Sequence, residues 1–412
     1  MKTIVSVTPL PVSADTRTFK IATSFARSGY HSIVVEGEKS YLDSARLPFD
    51  LHTKKTFSSN KDRASAIQTN AKSENGSVLK EAVKRWIKHL PSPMQKMFLG
   101  FLLPYLYFST KFYRLRKDLP AASLYYLHAP YQFPAVYWLS RARGTPIIYD
   151  AHDFYSDVIP TLLGRRLESW CIQKAAAVVT VSEGIAQLIQ REFGSQAVVV
   201  RNCQDLRLQT KPARGLRQAL KLPPDKFLLV TIGQVKPGLA AAEAIRALGN
   251  LPEKVHLAFV GKNTDMYQEM VKRYGLQSRV HLVEPVKQDE VVQFIQSADV
   301  ALILYYPFSS NYINCLPNGF FQSFSAGLPL LYPELPEIKR LAEQYDLGLP
   351  IDPQSPESIQ GAVMSLLNDG KSLAKHKKNS LAARLELSWE KEEVILYDLV
   401  RGVMGEGAVV AS

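Results

Sequence analysis

Two short stretches carry residue types that could do chemistry. Tyr149-Asp150-Ala151-His152-Asp153 follows the apolar run Pro146-Ile147-Ile148 and puts an imidazole between two carboxylates at the end of a strand. Such a histidine can donate a hydrogen bond in its neutral or charged form. It can equally be a buried residue bonded to Asp150 or Asp153. Leu316-Pro317-Asn318-Gly319 opens an apolar helix, Phe320-Phe321-Gln322-Ser323-Phe324. Proline suits a first turn, where its missing donor costs nothing. The free amides and dipole of that turn favour an anion such as a diphosphate. An ordinary helix start is the other reading of the same residues.

The elements that must position these groups alternate. Runs 4–7, 33–35, 124–127, 146–149, 177–181 and 197–200 are short and strand-like, with helical patterns between most of them. One helix is expected from Asp15 to Ser28, stopping at Gly29. The pattern breaks over 205–225, where Pro212, Pro223 and Pro224 sit in polar, basic sequence, and a linker is placed there. A second series follows at 227–232, 255–260, 280–283, 300–304 and 328–331, with helices at 240–248 and 289–297, and a last helix over 388–404. Strand–helix alternation predicts a parallel sheet covered on both faces, here twice. Ligands of such sheets bind at the carboxyl ends of the strands. Segment 54–83, rich in Ser, Lys and Asn, is expected to be a mobile loop.

The 412 residues are too many for one ordinary core and suit two domains. Cys171, Cys203 and Cys315 are too scattered for a metal cluster or disulfide framework, which fits a reducing compartment. Residues 1–200 carry 26 Lys and Arg against 15 Asp and Glu, and 51–120 alone carry 14 against 4. So local an excess indicates an anionic partner for one face rather than a nucleic-acid coat. Within it, residues 84–117 flank an apolar aromatic core with basic clusters, as a helix pair resting on anionic lipid would. Packing of Phe98 to Phe108 on the first sheet is the alternative. The amino terminus lacks the apolar core and cleavage site of a signal peptide. The most apolar stretch, Met97 to Phe108, is too short to span a bilayer.

Several blocks in register resemble the group 1 glycosyltransferases of bacterial surface-polysaccharide synthesis. They are Asp15-Thr16-Arg17-Thr18 with its helix to Ser28-Gly29-Tyr30-His31, the Asp150–His152 block, and Val178 to Gly184 with Val200-Arg201-Asn202 beyond. Ala298 to Leu302, Leu316-Pro317-Asn318, Ala326-Gly327-Leu328-Pro329 and Ser388-Trp389-Glu390 follow. The resemblance implies a GT-B fold: two Rossmann-like doubly wound parallel-sheet domains facing a central cleft, with the C-terminal helix crossing back. Residues 1–205, completed by 372–412, would bind acceptor, and 206–371 would bind the nucleotide sugar.

The implied activity is retaining, metal-independent transfer from a nucleoside-diphosphate sugar, as co-substrate rather than cofactor, to a saccharide or lipid-linked acceptor. A cytoplasmic protein, peripheral on the inner face of the plasma membrane, is expected. The implied catalytic residues are His152 and Asp150, with Asp15, Arg17 and His128 on the acceptor side. The implied donor site takes Gly233, Gln234, Lys236, Gly261, Lys262, Pro285, Val286, Pro317, Asn318, Gly319 and Gln322. Members of the family usually carry Glu at 322, Lys at 319, Arg at 234 and Lys or Arg at 239, where this chain has Gln322, Gly319, Gln234 and Leu239. Loss of charge at four positions of one site motivates a second reading, a catalytically silent scaffold or regulator of an active partner glycosyltransferase.

Overall fold

The computed structural model describes residues 1–37, 39–40, 42–53, 89–97 and 119–406, together with positions 102, 105, 106, 109, 110, 112 and 113. The segment 54–83 and most of 84–117, with the loop and membrane expectations attached to them, lie outside the described residues. Its described part includes Phe112, which is buried edge-to-face with Tyr125 at 6.2 Å between ring centroids. Among the described residues no helix is long and apolar enough to cross a membrane.

The first sheet is built from β1 (Thr3–Thr8), β2 (His31–Glu36), β3 (Asp50–His52), β4 (Leu124–His128), β5 (Ile147–Ala151), β6 (Ala177–Thr180) and β7 (Val198–Val199). Its order is β3-β2-β1-β4-β5-β6-β7. The pairs β1–β2, β1–β4, β2–β3 and β4–β5 are parallel. All six residues of β1 are buried, as a central strand covered on both faces requires. The helix Thr16–Arg27 starts because the Asp15 carboxylate accepts from the Thr18 amide. It ends because Gly29 takes φ +86° and lets the Tyr30 amide reach back to the Phe25 carbonyl.

The second sheet contains β8 (Phe227–Ile232), β9 (Val255–Val260), β10 (Val280–Val283), β11 (Val300–Leu302), β12 (Leu330–Pro333) and β13 (Gly348–Ile351). Its order is β10-β9-β8-β11-β12-β13 and every pair is parallel. Both sheets therefore reverse their winding beside their first strand, the switch point of the Rossmann topology. Alternation along β8 sends Leu228 and Val230 into a core with Phe320, Phe321 and Phe324, and Leu229 into the opposite core with Ile245, Leu248 and Leu257.

Contacts divide the chain into one unit of 1–179, 193–197 and 397–412, and another of 180–192 and 198–396. This differs from the boundaries expected from sequence. The Pro-rich stretch after 205 is no linker, because it packs on the second unit. Leu216 is fully buried, and Arg217 bonds Asp299 at 2.8 Å and the Ser297 carbonyl at 3.1 Å. Residues 372–396 also stay with that unit. The helix Gly370–Glu386 puts Ala383 into its core and bonds Ser380 to the Leu328 carbonyl. The chain rejoins the first unit from Tyr397, whose hydroxyl donates to the Ser24 carbonyl, and Glu406 there pairs with Lys2 and Tyr30.

Candidate functional site

In the first unit, the loops after β1, β4 and β5 bring together a buried charge cluster. Arg17, on the first turn after the Asp15 cap, donates from Nε and Nη2 to both oxygens of Asp150 at 2.9–3.2 Å. Both side chains are almost wholly buried. Tyr126 donates its hydroxyl to Asp150 Oδ2 at 3.0 Å. Asp15 accepts from Thr8 and Thr18. Arg17 and Asp15, expected on the acceptor side, are thus placed as a buried clamp and a helix cap.

His128 is fully buried and His152 is 20% exposed. Their ring nitrogens Nδ1 and Nε2 lie 3.0 Å apart, and each is 3.6–3.7 Å from Asp150 Oδ2. Burial drives the His128 pKa down to about 3, and the neighbouring His152 adds to this. Burial also opposes charge on His152, but Asp150 outweighs it and holds that pKa above its ordinary value. Burial likewise opposes charge on Asp150, and Arg17 and the histidines reverse the sign and hold it far below the carboxylate range. These directions favour a protonated His152 beside a neutral His128. His152 Nε2–H donates to His128 Nδ1, and His128 carries its own proton on Nε2.

His128 therefore makes stability pH-dependent. The unfolded chain takes up its proton near pH 6.5, whereas the folded one waits until about 3. Its contribution is complete above 6.5 and is lost as pH falls through that window. Thermal melts between pH 7 and pH 4 should show a steeper acid loss than the His128→Gln variant.

The facing atoms of His128, Asp150 and His152 lie within 4.8 Å of one another, a spacing that can hold a metal ion. The donor set fits one poorly, because Asp150 already carries a guanidinium and a phenol hydroxyl.

In the second unit, the expected donor residues line the carboxyl ends of β8, β9 and β10 and the start of the helix Asn318–Ser325. Gly233 and Gly261 pack backbone against backbone, and a Cβ on Gly261 would sit 1.8 Å from the Gly233 carbonyl oxygen. Gly261→Ala is expected to cost about 1–3 kcal/mol through that overlap, read as a lower denaturation midpoint. Gln234, Lys262 and Pro285 are exposed there, while Val286 packs on the core below. Pro317 is the N-cap and offers no side-chain cap. The Asn318 side-chain oxygen accepts from Asn202 at 2.6 Å. Gly319 lets the helix approach β8, since a Cβ there would lie 3.0 Å from the Ile232 oxygen.

Gln322 is buried and donates to Gln288 at 3.3 Å. Lys236 places its ammonium 5.4 and 5.2 Å from the Tyr305 and Tyr312 ring centroids. Leu239 bridges Tyr305, and Tyr312 donates to the Pro237 carbonyl. Sequence reasoning missed these tyrosines, and also Tyr126 and Gln132 in the first unit. The aromatic run 305–312 was the available signal for the former.

Residues 214–382 match the model of glycosyl transferases group 1, and residues 83–203 match that of a glycosyl transferase 4-like domain. Two successive parts of the chain thus match glycosyltransferase family models, the second of them that of group 1. A D-inositol 3-phosphate glycosyltransferase 2 of Catenulispora acidiphila is 23% identical over 61% of this chain and 64% of its own length, so less than two thirds of that relative is covered. Among solved structures, sucrose-phosphate synthase of Thermosynechococcus elongatus aligns with a TM-score of 0.73 at 13% identity, over 98% of this chain and all of that one. HepE of Anabaena, in complex with UDP and glucose, gives 0.70 at 16% over 97% and 100%. WaaG, a glycosyltransferase involved in lipopolysaccharide biosynthesis, gives 0.65 at 15% over 95% and 99%. The GT-B fold is thereby shared with these structures.

Proposed function

We propose that this protein is a group 1 glycosyltransferase that transfers a sugar from a nucleoside-diphosphate sugar to a hydroxyl of a saccharide or lipid-linked acceptor. Transfer is metal-independent and retains the anomeric configuration, in cytoplasmic surface-glycan synthesis. The tandem family matches, spanning parts of both units, carry this reading. The second unit would hold the nucleoside diphosphate at the amides around Asn318 and at the glycine pair Gly233–Gly261. The first would supply His152 as a hydrogen-bond donor to developing negative charge. The basic excess over 51–120 suits an anionic lipid surface that presents the acceptor.

Titration calorimetry with uridine, guanosine and adenosine diphosphates tests the donor half. Heat from none of the three would sink it. With a productive donor and acceptor, the coupling constant of the product's anomeric proton tests retention.

A scaffold role is the second reading. It is favoured by the placement of Lys236 against two tyrosine rings and by a neutral Gln322 paired with Gln288. The Gln322→Glu variant separates the two. A carboxylate hydrogen-bonds about twice as strongly as an amide, so an enzyme should gain roughly three- to tenfold in nucleotide affinity. A scaffold should show no nucleotide binding before or after the change.

A further inference from the structure

The turn after β4 holds three features that the charge cluster does not use. The first is His128 Nε2, sealed from solvent and without a hydrogen-bond partner among the described residues. The proton arrangement derived above makes this atom a donor. The second is Gln132, 2% exposed, whose Oε1 and Nε2 are both buried without a partner among the described residues. The third lies between them. Ala129 has φ 74° and ψ 157°, a region occupied almost only by glycine, and it is buried.

Each of these is costly. An unsatisfied buried polar atom costs about 1–3 kcal/mol, and a backbone strained in this way costs about the same. Apolar residues at 128 and 132 and glycine at 129 would remove all of it. Such concentrations of strain and unspent hydrogen-bonding capacity occur where a ligand completes the structure. This turn also stands at the carboxyl end of a strand flanking the switch point of its sheet, where ligands of this topology bind.

We propose that the turn His128–Gln132 is a recognition subsite for a sugar hydroxyl. The ligand chemistry follows from the groups offered. An amide presents one donor and one acceptor side by side, and the imidazole adds a second donor. A hydroxyl is the small group that donates to Gln132 Oε1 while accepting from Gln132 Nε2. A phosphate or carboxylate accepts only and would leave Oε1 unpaired. Gln132 is thereby a specificity-determining residue for the acceptor, a role that rests on the transferase reading. Because these atoms are enclosed in the present conformation, the ligand enters with a local opening of the turn.

The test uses the full chain and a panel of methyl glycosides of glucose, galactose, mannose, rhamnose and N-acetylglucosamine. Side-chain amide and imidazole resonances are followed by nuclear magnetic resonance, with the Gln132 signals assigned by their loss in Gln132→Met. At least one glycoside should shift the Gln132 amide pair and the His128 Nε2–H, and its affinity should fall roughly tenfold or more in Gln132→Met. The variant is isosteric within a methylene and removes two orphaned atoms, so it should melt no lower than the parent. Shifts from no glycoside, or unchanged affinity in the variant, would overturn the subsite. A trapped water as the permanent partner would appear as a lowered melting temperature with glycoside binding intact, which also overturns it. Calorimetry with uridine diphosphate on the same samples reports the transferase reading separately, because the expected nucleotide residues lie in the other unit.

Discussion

Replacing Asp150 with alanine is expected to destabilise the protein by about 3–5 kcal/mol, the largest loss of any single substitution considered. The carboxylate is fully buried and takes three guanidinium hydrogen bonds plus one from Tyr126. Its removal takes from Arg17, itself 3% exposed, the carboxylate that its guanidinium grips. The stabilising effect of the pair against water is a different quantity. Two ions taken out of water and matched to each other roughly break even. The double variant Arg17→Met with Asp150→Leu should therefore recover most of the loss. Urea denaturation of the two single variants and the double one measures this directly. Near-additive losses of the two single changes would refute the clamp. The same substitution should also lower the His152 pKa, because Asp150 is the leading group that raises it.

His152→Ala is expected to reduce turnover of the sugar nucleotide by roughly 10²–10³-fold and to cost about 1–3 kcal/mol of stability through the buried His128 Nδ1 that it leaves unpaired. The ring is the exposed member of the cluster, and its contact with His128 is a single hydrogen bond. A group that donates to charge forming in the transition state lowers kcat more than it raises KM. Nucleotide release measured against donor concentration separates the two. If the protonated imidazole is the donor, activity should fall as pH rises through the elevated His152 pKa. His152→Gln keeps a donor without a titration and should retain part of the rate with a flat profile in that range. A parent enzyme with no alkaline limb would contradict a protonated donor.

Much of this molecule was legible because its elements announce themselves locally. β8, β9 and β10 stand at the residues that hydrophobic runs predict. The capped helix after β1 follows from Asp15 and Gly29, whose physics is local. β3 and β13 were not legible. The first is three half-polar residues, and the second contains Pro350, tolerated because that strand pairs on one side only. The Pro-rich stretch after 205 read as a linker, because composition does not reveal that Leu216 and Arg217 find partners on the second unit.

The division at the candidate site has the same cause. Sequence alone determined that a histidine follows the β5 carboxylate, that Pro317 starts a helix, and that two parallel sheets with Rossmann winding carry them. Only the tertiary structure decided that Arg17 spends its charge on Asp150, 133 residues away. It also decided that His128 and His152 meet within hydrogen-bond distance and that Gln132 is buried without a partner among the described residues. Those outcomes depend on which side chains meet and how much water is excluded when they do. Residue type and spacing encode neither until the strands are in register.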